Sequence, residues 1–364
     1  MMALRVLATV GGVILVVWAL LSAVKTIILP RAAASIVATA VFISLRRLFD
    51  LICNPKRSFA FRDRVMAYYA PIGLLLLPLT WVIMLLVAYT GIYWGTGIHP
   101  LSEALAISGS SLFTLGFDRP ASLGHIVLSF SEALLGLGIV ALVISYLPSI
   151  YGAFGRREVL VGKLEVRAGL PPSPAELLTR YARIGWIDRI DTELFPPWET
   201  WFAEIEESHT SLAALNFLRS PHPGRSWITA AGCVLDTAAI SSSVIDKPHD
   251  ASADIMLRGG FFCLRRIADY FELPYDPEPA PDAPISVSRR EFDGLCVELE
   301  AAGIPLKPDR DQAWRDFAGW RVNYDQVLVA LCALVMAPPA VWSSDRLPAT
   351  RLRVKMRRTS MPRR

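Results

Sequence analysis

The sequence predicts an all-α membrane protein with three transmembrane helices, a short interrupted segment between the last two, and a helical aqueous half. Three observations carry that fold class. The 364-residue chain is 53% hydrophobic, above the usual globular range. Its mean hydropathy of +0.40 is concentrated before Tyr151, and the remainder has the charged, proline-containing make-up of a soluble domain. The aqueous half reads as helical, with apolar residues spaced by three and four.

The first span is read over Leu7–Leu29, "LATVGGVILVVWALLSAVKTIIL". At 1.5 Å per residue it reaches roughly 34 Å, enough for the hydrocarbon core of about 30 Å. The apolar run exceeds that of a signal peptide, and no small-residue cleavage site follows. Tyr69–Tyr93 is the second span and Ile126–Tyr151 the third. The apolar stretch from Ala32 to Ser44 is too short to cross, so Ala32–Ile52 is expected either to lie at the membrane surface or to continue the first span beyond Pro30. Residues 1–67 thus form a transmembrane helix with a basic interfacial segment.

Orientation follows from the basic residues. Arg31, Arg46, Arg47, Lys56, Arg57, Arg62 and Arg64 lie between the first and second spans, and Arg156, Arg157 and Lys163 follow the third. Between the second and third there is only Arg119. The positive-inside bias places the Arg31–Arg64 loop and residues 155–364 in the cytoplasm of a multi-pass plasma-membrane protein. The formal net charge of +4 is too small to imply nucleic acid. Five separated cysteines without a CxxC pair read as reduced, buried thiols, in keeping with a cytoplasmic aqueous half.

The segment between the second and third spans, "ALAISGSSLFTLGFDRP", is the informative one. Ser102 is expected to cap a helix of about three turns with Glu103 in its first turn and Leu105, Ile107 and Leu112 on its apolar side, ending near Phe113. Such a helix enters the membrane only part-way. Its C-terminal carbonyls then face a protein-lined or watery cavity and favour a cation there. Thr114-Leu115-Gly116-Phe117 follows. Carbonyls that all point one way need alternating backbone handedness, which Gly116 accepts without steric penalty.

These residues resemble the potassium-channel pore family, in which an outer helix, a short pore helix, a TVGYG-type filter and an inner helix follow in this order. The resemblance covers roughly Tyr69–Phe154 and implies a pore domain over residues 68–154 with a re-entrant pore helix and filter. Thr114, Leu115, Gly116 and Phe117 stand at the T-V-G-Y positions, and Asp118 falls where the second glycine belongs or is the acidic residue that follows it. A left-handed Asp118 would cost on the order of 1 kcal/mol, so the outermost ion site is expected to be altered. The resemblance implies a homotetramer that passes monovalent cations, potassium by preference, and no cofactor beyond the permeant ion. No span carries the regularly spaced arginines of a voltage sensor.

The third span holds Glu132, a carboxylate that costs about 2.5–3.5 kcal/mol on insertion scales. It is read as a brace behind the filter, bonded to Ser110 or Ser111, as a negative charge near the ion path, or as a polar residue reaching water at the outer interface. Gly136 and Gly138 serve either as a gating hinge or for close helix packing. Pro148 is expected to kink or end the helix.

The aqueous half reads as a helical domain over 155–273, a Pro-rich linker over 274–286, and a second helical subdomain over 287–345. Capping boxes are expected at Ser173–Glu176 and Ser288–Glu291. The apolar run Val327–Ala337 is too short to cross and reads as a buried helix. Glu204, Glu206, Glu207 and His209 read as a solvated acidic face, Asp236 and Asp246 as surface charge, and His222 and His249 as loop residues. Among these no nucleophile–base or metal motif appears, so the chain is not read as an enzyme. The tail over 346–364, eight basic residues and no acid, suits anionic lipid. The competing reading is a non-conducting, membrane-anchored sensor or interaction protein with a degenerate pore loop.

Overall fold

The computed structural model describes residues 1–27, 29, 35–54 and 56–346. Among them the structure is helical, without a strand, and three helices are long and apolar enough to cross a membrane. Pro30 and Arg31, and the basic tail beyond Arg346, lie outside the described residues. The chain forms two compact units, the first of residues 1–45 and 71–151, the second of residues 46–70 and the described part of Gly152–Arg357.

In the first unit α1 (Met2–Ile27) lies along α4 (Tyr69–Gly95). Their antiparallel sense is fixed by two contacts. Gly12 meets the Ala88 carbonyl so closely that a Cβ would fall 2.5 Å from it, and Trp81 Nε1 donates to Ser22 Oγ at 2.9 Å. Ser22 Oγ also lies 2.9 Å from Ser35 Oγ, just before α2 (Ile36–Ile52). Thirteen residues apart in one helix, those hydroxyls would be separated by roughly 20 Å. So α2 is not a straight continuation of α1; its start is set beside α1's last turns, and Phe42 then packs over Gly73 of α4.

The helix α5 (Leu101–Leu112) follows α4 and buries Ala104, Ile107, Ser108, Ser110 and Leu112. It starts one residue before Ser102, with Pro100 as N-cap and no side-chain capping bond. Twelve residues give roughly 18 Å, too little to cross. The long helix α6 (Leu123–Ala168) runs 46 residues and continues through Pro148, which therefore does not end it. The apolar windows of α1 and α6 are only 22% and 17% buried. Surfaces so apolar and so uncovered belong in lipid or against other chains, not in water.

The second unit adds α3 (Phe59–Met66), α7 (Pro174–Arg183), α8 (Ile190–Glu193), α9 (Phe195–Ser211), α10 (Trp227–Ser243), α11 (Ala251–Tyr270), α12 (Arg289–Ala301), α13 (Arg310–Arg321) and α14 (Asp325–Val335). Nearly every residue of α10 is buried, and α7, α11, α13 and α14 pack around it. The Ser173 and Ser288 caps form, the latter as a reciprocal capping box with Glu291. The short apolar α14 is buried.

Asp236 is not a surface charge. It sits on α10 at 1% exposure and accepts from Arg321 and from the Tyr324 hydroxyl. Arg321 also bonds Asp325 at 2.8 Å. Burial opposes the arginine's charge, but Asp236, Tyr324 and Asp325 together raise its pKa above the ordinary value. The Pro-rich stretch is bonded to helices on both sides of it in the sequence. Arg265 donates to the Pro277 carbonyl at 2.9 Å and Ser286 bonds Asp325 at 2.6 Å, which straps the stretch to both.

Residues 46–70 belong to this second unit. Arg46 donates to the Leu334 carbonyl at 3.1 Å, while Arg219 donates to Val335 and Met336 carbonyls at 2.9 and 3.0 Å. Two guanidiniums thereby cap the carbonyl end of α14. Arg219 also pairs with Asp63 of α3 at 2.6 Å. Contacts of this kind hold residues 46–70 to the later part of the second unit.

Candidate functional site

The chain leaves α5 through a reversal built on Ser110 and Ser111. Thr114 N–H donates to the Ser111 carbonyl at 3.0 Å and Leu115 N–H to the Ser110 carbonyl at 2.8 Å. This is the bonding of a Schellman helix end, whose left-handed position normally takes glycine. Here Thr114 occupies it, with φ 54°, and Gly116 is left-handed again at φ 73°. A β-branched residue in that region is an outlier, held there by its surroundings.

Asp118 departs from expectation. Its φ is not positive, so no left-handed cost falls on it; the left-handed positions are Thr114 and Gly116. The physical reason is Ser110, buried at 1% exposure. Its hydroxyl accepts from the Asp118 N–H and donates to the Asp118 carbonyl, both at 3.1 Å, and folds the end of the segment back over α5. Leu115 and Phe117 stay uncovered, 63% and 68% exposed.

Behind α5 lies Glu132 of α6, with no exposed surface. Its partner is neither Ser110 nor Ser111. Ser108 Oγ lies 2.5 Å from Glu132 Oε1 and also 3.2 Å from the Leu86 carbonyl of α4. Tyr93 of α4 faces the same carboxylate and Ser111. The carboxyl thus ties α6 to α5 through Ser108, which also meets α4 at the Leu86 carbonyl. A carboxylate without such partners would be expelled from an apolar interior.

The two inner-helix glycines differ. A Cβ on Gly136 would fall 2.3 Å from the Leu112 carbonyl, whereas Gly138 has nothing within 4 Å. Gly136 therefore sits where the end of α5 is pressed on α6, and Gly138 faces open space. Sequence reasoning missed Ser108 and Tyr93. A serine 24 residues before Glu132 carries no local signal of that pairing.

In the second unit His209 is buried, not part of a solvated acidic face. Arg157 of α6 donates to the Leu215 and Leu218 carbonyls at 2.8 and 2.7 Å and lies 3.3 Å from His209 Nε2. Arginine can only donate, so Nε2 accepts and the imidazole is neutral. Burial first, and Arg157 second, hold the His209 pKa well below the ordinary histidine value. Among the described residues no cluster of His, Cys, Asp and Glu is placed to hold a metal, and all five cysteines are buried thiols outside any disulfide. Exposed His222 and His249 sit in loops as expected.

No protein-family model, no curated protein and no solved structure matches this chain.

Proposed function

We propose that the chain is one subunit of a potassium-channel-like homotetramer that conducts monovalent cations across the plasma membrane. In this reading α5 is a re-entrant pore helix, Thr114-Leu115-Gly116-Phe117 is the filter, and the second unit is a cytoplasmic regulatory domain. The observation that carries the reading is the handover at residue 113. A helix too short to cross gives way to backbone that is left-handed at Thr114 and Gly116, while Leu115 and Phe117 remain uncovered.

Four such segments around an axis would offer carbonyl oxygens in place of an ion's water shell. The Asp118 carboxylate would add negative charge near the mouth. Along α6, Val127, Phe130, Leu134 and Leu137 are all more than half exposed, at a spacing that leaves an apolar face for neighbouring subunits or lipid. The test is flux in liposomes under mixed potassium and sodium gradients. Cation current that Gly116→Ala abolishes is expected; no current, or anion preference, refutes the proposal.

A second reading has its own support. The Schellman bonds account for Thr114 as a helix stop, and Ser110 ties the segment onto its own helix. On that reading the chain is a non-conducting membrane-anchored sensor or interaction protein. Wild-type flux separates the two.

A further inference from the structure

We infer that the second unit holds an oxyanion site, for a phosphate-type group that keeps one proton, in the cleft at the start of α10. The local sequence, Ser220-Pro-His-Pro-Gly-Arg-Ser226, folds as a tight turn. Arg225 N–H donates to the His222 carbonyl, with Pro223 and left-handed Gly224 (φ 86°) between them. Proline then glycine is the residue order of a type II turn. Arg225 and Arg219 line the same cleft together with Asn216, Ser220 and Ser226, and no acidic residue lines it. The cleft is small, about 280 Å³ with the solvent at its open mouth included.

Three features point to what fills it. Ser226 is the N-cap of α10, yet its side chain accepts no capping bond, so the leading N–H groups and the positive end of a 17-residue helix await an acceptor. Arg225 spends Nε on Glu165, and among the described residues its terminal nitrogens are unspent. Asn216 is 1% exposed. Its Nδ2 donates to the His209 and Ala213 carbonyls, which fixes the amide, and its Oδ1 has no partner among the described residues.

The first two features want a bidentate anion, which arginine forks hold well. The third wants a donor. A phosphate or phosphomonoester that retains a proton supplies both; sulfate and chloride supply only the charge. The segment that forms the floor also grips two helices. The Leu215 and Leu218 carbonyls hold Arg157 of α6, and Arg219 holds Asp63 of α3. Occupancy would therefore be felt by both helices; that this tunes conduction rests on the channel reading.

The experiment is calorimetric titration of the full chain in detergent with inorganic phosphate, and with sulfate at equal ionic strength. A parallel arm uses phosphatidylcholine vesicles carrying phosphatidic acid, a phosphomonoester, or phosphatidylglycerol, a diester. Saturable binding with roughly tenfold preference for phosphate over sulfate is expected, reduced at least about tenfold in Arg225→Gln. Ser220→Asp, which keeps both arginines and adds a carboxylate, should weaken it likewise. Binding to phosphatidic acid vesicles alone identifies the source as lipid, and binding to inorganic phosphate identifies it as soluble. No saturable binding in either arm, sulfate equal to phosphate, or both variants binding like the wild type overturns the inference. The readout needs no flux: a non-conducting chain that binds phosphate leaves the site standing, and a conducting chain that does not bind removes the site alone.

Discussion

The Leu112 carbonyl faces Gly136 at a distance that leaves no space for a side chain, since a Cβ there would stand 2.3 Å from the oxygen. Gly136→Ala should therefore push α5 off α6, at a cost of about 1–3 kcal/mol typical of overpacking. Gly138→Ala, in open space, should be near neutral. Thermal unfolding of the detergent-solubilised chain distinguishes them, and equal melting temperatures would contradict the packing described.

Glu132 makes a different demand. Glu132→Ala leaves buried Ser108 without its acceptor on α6 and should destabilise by about 1–3 kcal/mol. Glu132→Gln preserves an oxygen for Ser108 and should lose less. Denaturation midpoints for the pair check this; an alanine variant as stable as the wild type would mean the Ser108 bond contributes nothing.

The buried imidazole makes stability pH-dependent. The His209 pKa lies below its unfolded value of about 6.5. Its contribution is then complete above that pH. As the pH falls below it, the unfolded chain takes up a proton that the folded one refuses. Stability should drop by up to about 1.4 kcal/mol per pH unit until the folded pKa is reached. Melting curves between pH 8 and 5, for wild type and His209→Gln, read the effect as their difference. A slope unchanged by the substitution would assign it to other groups.

Arg321 is the cation on which Asp236 and Asp325 depend. Arg321→Met strands two buried carboxylates and should cost about 3–5 kcal/mol. Adding Asp236→Leu should restore part of that loss, because one charge left without a partner is then gone. Urea unfolding of the single and double variants measures the recovery, and strict additivity would argue against the pairing.

What the sequence made legible was local. A span is written in more than twenty consecutive apolar residues, and the caps at Ser173 and Ser288 need only their next three neighbours. Asp236 was misread because its partner, Arg321, stands 85 positions away. The Ser108–Glu132 bond and the joining of residues 46–70 to the later unit are hidden for the same reason. In the candidate site the interruption, the short helix and left-handed Gly116 were foreseeable. Left-handed Thr114 was not, since β-branching argues against it and only the bonds to Ser110 and Ser111 impose it.

The Asp63–Arg219 pair links positions 156 residues apart. At roughly 5–20 residues per second, the ribosome delivers that arginine some 8–30 s after the aspartate emerges. During that interval the stretch after the first span has no carbonyls of α14 to cap and no counter-ion for its carboxylate. Residues 46–70 can therefore complete these contacts only after the later residues that hold them have been made.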